Sequence, residues 1–166
     1  MTRLARATVA MALAALLLAL LAWLEPGLRR DTQASPLTDL APESVRGLRI
    51  FDRAGLVLGL ERTGAGWELV SPVPGPADGA RVERLLGLLA TPSLRNLGAV
   101  EGRLAEFGLE TPEFLLEFDG IPIAFGSLDP VSGQRYVSFA GEIHLIGDGY
   151  RHHLLAGLDG FRAPAP

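Results

Sequence analysis

The side chains able to do chemistry are few and badly spaced for it. His144, His152 and His153 are the only histidines of the 166-residue chain. His152 and His153 are adjacent, so on a helix they point about 100° apart, whereas two ligands on one helix face need i, i+3 or i, i+4 spacing. His144 stands between Ile143 and Leu145, and strand alternation places it at the surface, opposite those two. Ser127 follows Gly126 but lacks the second glycine of a nucleophile elbow. Gly64 and Gly66 imitate half a dinucleotide fingerprint, but strands flank them and no helix follows. Asp129, Asp148 and Asp159 are scattered turn aspartates, not a calcium loop. Glu113 and Glu117 alternate along one strand face that reads as solvated. Cysteine and lysine are absent. That removes disulfides, thiolates, zinc–cysteine sites, Schiff-base lysines and lysine-bearing phosphate loops. The expectation is a non-enzymatic protein with no metal and no cofactor.

Binding is the better-supported chemistry. The connection 126–134 is nine residues long, where two to five are usual in a hairpin, and long loops on rigid strands often carry binding. Arg135 and Tyr136 leave that loop and belong to the residue types enriched in interface hot spots. Pro122 cannot donate to a ladder and marks a sheet edge. Arg135, Tyr136, Asp129 and Pro122 together form the candidate interaction surface. Trp67 reads as core.

The elements that must position these residues follow from pattern. Residues 46–53, 56–62 and 67–70 alternate and are separated by glycine-containing turns, which predicts a meander. After the proline-rich 71–77, Asp78 is a natural N-cap. Val82, Leu85, Leu86 and Leu89 recur at i, i+3, i+4, i+7, one apolar helical stripe. A short helix over 101–107 ends at Gly108, a residue free to take positive φ. Phe114, Leu116 and Phe118 share a strand face, and Asp119-Gly120 is a strong two-residue hairpin signal. Strands over 121–125, 135–140 and 143–146 follow, then a helix over 150–156. The two halves look faintly alike. This is an α+β domain of antiparallel strands with one amphipathic helix and one or two short helices.

Ahead of the domain, residues 7–24 carry no charge and include seven Leu and seven Ala. Eighteen helical residues reach about 27 Å, close to the hydrocarbon thickness of a bilayer. The resulting organisation is a cytoplasmic N-terminus over 1–6, a transmembrane helix over 7–24 and a proline-rich tether over 25–44. An extracytoplasmic domain over 45–156 and a tail over 157–166 complete it. Arg3, Arg6 and the terminal amine, against Arg29 and Arg30, favour a cytoplasmic N-terminus by one charge. A net charge of −4 argues against a nucleic-acid partner.

Four stretches carry a resemblance. They are PESVRGLRIFDRAG, GWELVSPVPGPADGARVERLLGLLA, RLAEFGLETPEFLLEF with its F-G-L-x-x-P core, and the G…R-Y-V run of IAFGSLDPVSGQRYVSFAGEIHLI. With the apolar N-terminal segment, residues 37–156 resemble the bacterial domain-of-unknown-function family 4340. The resemblance implies a membrane-anchored envelope protein and an α+β fold, and it carries over no catalytic residue. The expectation is a single-pass protein of the bacterial inner membrane whose periplasmic domain docks a membrane or envelope protein. A small-ligand sensor or carrier, with its pocket between the sheet and the 82–89 helix, is the alternative.

Overall fold

A computed structural model describes residues 35–99, 102 and 104–164, together with Ala15 and Leu16. Apart from those two residues, the expected membrane helix over 7–24 lies outside the described residues, as does the tether up to residue 34. Among the described residues no helix is long and apolar enough to cross a membrane. The chain divides into units 1–33 and 34–166, and the second is the folded unit described below.

Among the described residues nine antiparallel strands form one sheet. They are β1 (Gly47–Asp52), β2 (Gly55–Thr63), β3 (Gly66–Ser71), β4 (Gly75–Pro76), β5 (Arg95–Gly98), β6 (Phe114–Phe118), β7 (Ile121–Leu128), β8 (Arg135–Phe139) and β9 (Glu142–Ile146). Their order is β4-β3-β2-β1-β6-β7-β8-β9-β5. Each half is therefore a meander that starts at the sheet centre, β1 in one and β6 in the other, and helices follow both meanders. The helices are α1 (Gly79–Leu86), α2 (Arg151–Leu155) and α3 (Gly157–Phe161). Single-turn 3-10 segments occur at Pro42–Ser44, Gly87–Ala90 and Leu104–Phe107.

The core lies on one face of the sheet. Leu48, Ile50, Leu58, Leu60, Leu116 and Ile123 meet Val82, Leu85, Leu86 and Leu89 of the predicted stripe. Asp78 caps α1 by accepting from the Arg81 N–H at 3.2 Å. Trp67 is buried as expected, and its indole N–H donates to Glu83 Oε1 at 3.2 Å, fastening α1 over the first meander. At the Asp119-Gly120 turn both residues take positive φ, 51° and 85°, as a type I′ turn requires. The Asp119 carboxylate reaches back to the Gly47 N–H at 2.7 Å, so this turn also tethers the start of β1.

Four expectations need correction. Residues 35–44 are not a free tether. The Leu37 N–H bonds the Thr91 carbonyl at 2.7 Å, and Leu37 and Thr38 are buried. Nor are residues 157–163 a tail outside the domain, because Phe161 is buried and the Ala163 N–H bonds the Pro76 carbonyl at 3.0 Å. Pro122 lies on an interior strand, between β6 and β8. It is tolerated because the β8 ladder begins one residue later, at Ile123↔Phe139, so the missing N–H breaks no bond there. The helix expected over 101–107 is described only as the 3-10 turn Leu104–Phe107, and residues 101 and 103 lie outside the described set.

Candidate functional site

Arg135 was expected at the surface, and it is only 4% exposed. The β8 register puts it in line with Val137, which is fully buried on the helix-covered face. A guanidinium there must find partners for its donors. It donates to both oxygens of Asp148, to Glu113 Oε2 at 3.0 Å and to the Gly126 carbonyl at 2.6 Å. Glu113 in turn accepts from Arg151 of α2, at 2.6 Å from Nη2 and 3.0 Å from Nε. The Arg151 bond, opposed by burial and aided by the charge of Arg135, holds the Glu113 carboxyl below its ordinary range. Glu113 is therefore turned to the helix side and does not share a solvated face with Glu117, which pairs with Arg49 at 2.8 Å. Two arginines and two carboxylates balance, and the cluster ties β8 and the start of β6 to α2. Its partners are 13 to 38 residues apart in sequence, and neither spacing nor composition pointed to it.

The remaining predicted surface residues are differently placed. β7 extends to Leu128, which shortens the following loop to 129–134. Asp129 organises that loop: its carboxylate accepts from the Ser132 N–H at 3.1 Å, the Ser132 hydroxyl at 2.5 Å and the Tyr136 hydroxyl at 3.3 Å. Those bonds hold its carboxyl low, the Ser132 hydroxyl first. Tyr136 lies on the outer face, away from the helices, with its ring edge-on to Phe107 at 4.7 Å. Tyr136 and Asp129 thus meet, while Arg135 and Pro122 join neither.

The arrangement closest to a catalytic one escaped sequence analysis. His144 is buried, 7% exposed, and not at the surface as expected. Its Nδ1 is 2.9 Å from Ser93 Oγ, and its Nε2 is 3.9 Å from Glu142 Oε2. Glu142 accepts from Asn96 Nδ2 at 2.7 Å. Serine, histidine and carboxylate stand in order, but an acyl-transfer site also needs amides aimed at a developing oxyanion. The Ser93 and Leu94 amides already bond the Ser35 and Leu145 carbonyls, at 2.8 and 2.9 Å. The His–Glu separation exceeds a hydrogen bond. Burial pushes the His144 imidazole below its ordinary pKa, with Glu142 opposing. The group works as a seam between β9 and the segment entering β5, joined across 51 residues.

Open surface lies elsewhere. Over the second meander the segment 104–109 crosses the outer face at Gly126, where a Cβ would collide with the Phe107 carbonyl oxygen and press on Leu109. Over the first meander and the neighbouring β6 the outer face carries Phe51, Leu56, Val70 and Leu115, with Leu56 45% exposed. Two adjoining grooves run along it. One of about 720 Å³ is lined by Phe51, Ala54, Pro112 and Leu115, and one of about 340 Å³ by Leu56, Gly59, Val70 and Glu117. Beside them Glu61 and Glu68 are directly paired across β2 and β3, both exposed. Like charges facing each other across strands are unfavourable. A third cavity, of about 370 Å³, lies between the β1–β2 turn and α2, with Asp52, Val57, Glu113, Phe114 and Leu154 in its lining. The pocket expected between the sheet and the 82–89 helix is filled: Val82, Leu85, Leu86 and Leu89 are fully buried.

The family model for the Domain of unknown function (DUF4340) matches residues 67–166. No curated protein and no solved structure matches the chain.

Proposed function

The chain belongs to the DUF4340 family, and from that premise we propose that it is a docking module, held at the bacterial inner membrane by residues 7–24, for an envelope protein. The observation that carries this reading is the asymmetry of the outer sheet face. The chain's own 104–109 segment crosses the second half at Gly126, while on and beside the first half Leu56 and Val70 are exposed and Phe51 and Leu115 half-buried. The partner is a protein that lays an apolar segment into these grooves and places a cation against Glu61 and Glu68. That cation would relieve a repulsion the isolated fold carries. Membrane attachment confines the search to two dimensions and raises effective concentration.

The test is cross-linking in cells followed by purification of the full-length chain. Leu56 and Val70 are 45% and 42% exposed, so L56E and V70E leave the core intact. A specific cross-linked species seen with the wild-type chain should disappear in both variants and weaken when Glu61 and Glu68 are replaced by glutamine. Unchanged cross-linking in all of them refutes the site. A second reading, small-ligand binding, is favoured by the 370 Å³ cavity, where the apolar Val57, Phe114 and Leu154 stand beside Asp52, Arg53 and Glu113. A ligand there would raise the melting temperature with concentration as RT ln(1 + [L]/Kd).

A further inference from the structure

The cavity of about 370 Å³ brings three parts of the fold together: the β1–β2 turn, the start of β6, and the residues where α2 passes into α3. Its volume falls at the lower end of the range for small-molecule sites. Val57, Phe114 and Leu154 supply an apolar lining, and Phe114 and Leu154 are themselves buried. The charged residues in the lining are Asp52, Arg53 and Glu113, and they are not equally free. Glu113 Oε1 accepts from Arg151 at 2.6 and 3.0 Å, and its Oε2 accepts from Arg135 at 3.0 Å. The Asp52 carboxylate is folded onto its own turn, where Oδ1 accepts from the Ala54 and Gly55 N–H groups at 2.7 and 3.1 Å. Arg53 is exposed, and among the described residues it pairs with no carboxylate. The charge in this lining that no group of the fold answers is therefore a guanidinium.

We propose that this cavity binds the anion of a small apolar carboxylic acid, its carboxylate on Arg53 and its apolar body against Val57, Phe114 and Leu154. The inference rests on the small-ligand reading above and names the ligand class. A guanidinium offers two parallel N–H donors to the two oxygens of a carboxylate, and a ring or short chain beside it loses apolar surface to the lining. A cationic ligand would find both carboxylates already engaged and would face Arg53. A neutral ligand would leave Arg53 without a counter-charge. Arg53 also lines the 720 Å³ groove on the outer face, whereas Leu155 lines the cavity and not the groove. Substitution at Leu155 therefore tells the two places apart.

The test uses the full-length chain in a neutral detergent and three probes of one shape: para-fluorophenylacetate, para-fluorophenylethanol and para-fluorophenethylamine. Binding is read by fluorine NMR titration against a protein-free detergent blank. The wild-type chain should bind the acid saturably and about fivefold more tightly than the alcohol, the gain of one exposed ion pair. The amine should bind no better than the alcohol. R53Q should remove the preference for the acid, and R53K should keep most of it. L155W, which narrows the cavity, should weaken all three probes. Arg53 and Leu155 are both exposed, so these substitutions leave the core intact. Equal affinities of acid and alcohol, an amine that binds tightest, or an R53Q variant unchanged toward the acid overturns the inference and leaves the small-ligand reading standing. Acid binding that L155W does not alter places the ligand outside the cavity and overturns the inference too. Failure of all three probes to bind the wild-type chain refutes the small-ligand reading and this inference with it.

Discussion

Replacing Arg135 by methionine would keep most of its volume and remove its charge and donors. Arg135 is 4% exposed. It supplies both side-chain bonds of Asp148, one bond to Glu113 and one to the Gly126 carbonyl. After substitution Glu113 still has Arg151, but Asp148 loses its side-chain partner and the buried carbonyl loses a donor. Removing one side of a buried ion pair costs about 3–5 kcal/mol, because a charge is left uncompensated. The side chains of Asp148 and Glu113 are each 26% exposed, so water recovers part of this, and the expectation is about 3 kcal/mol. For a unit of this size that lowers the melting temperature by about 10 °C. The assay is urea unfolding followed by Trp67 fluorescence in a W23F background, since these are the two tryptophans. The double variant R135M/D148N should recover a large part of the loss, because it removes the stranded charge. A cost below about 0.5 kcal/mol, as for a surface pair, would refute the reading, and so would a double variant no better than R135M.

Three further outcomes follow from the same geometry. G126A should destabilise by about 2–3 kcal/mol, because its Cβ would strike the Phe107 carbonyl oxygen and Leu109; an unchanged urea midpoint would mean that the 104–109 segment does not lie against β7. Glu113 has a folded pKa below its ordinary 4.5, so its contribution is complete above about that pH and is lost as the pH falls through the lower folded value. The stability–pH curve of E113Q should be flatter in that acid range than that of the wild type, and identical slopes would contradict the pairing. His144 is held neutral by burial, below its ordinary 6.5. Its contribution is therefore complete above about 6.5 and is lost as the pH falls toward the depressed value, and H144Q should remove that slope.

The parts of the fold readable in the sequence are those set by neighbours along the chain. Val82, Leu85, Leu86 and Leu89 form a stripe because helical geometry repeats them on one side, and all four are buried. Asp78 caps and Asp119-Gly120 turns because local backbone chemistry demands it. Alternation also held: Arg135 has the parity of Val137, and that parity, more than its place at a loop exit, decided its burial. What a single sequence could not reveal is which strand lies beside which. Ser93 meets His144 only because β5 crosses to the far edge and pairs with β9. Glu113 meets Arg151 only because α2 folds back over β6.

The same topology explains why the candidate surfaces escaped detection. A meander alone does not say which of its two faces will be covered twice. On the second meander the 104–109 segment lies over the outer face at Gly126, and the outward apolar residues Ile143 and Leu145 are buried. The first meander has no such segment, because the chain passes from β4 directly to α1 on the core side. Leu56 and Val70 then remain exposed and Phe51 and Leu115 half-buried, although their alternation reads like that of ordinary buried strands. An apolar surface left open beside two opposed carboxylates is costly to the isolated fold on both counts. A partner that buries the one and neutralises the other removes both costs in one event, so L56E and the paired glutamine substitutions at Glu61 and Glu68 should weaken the same complex.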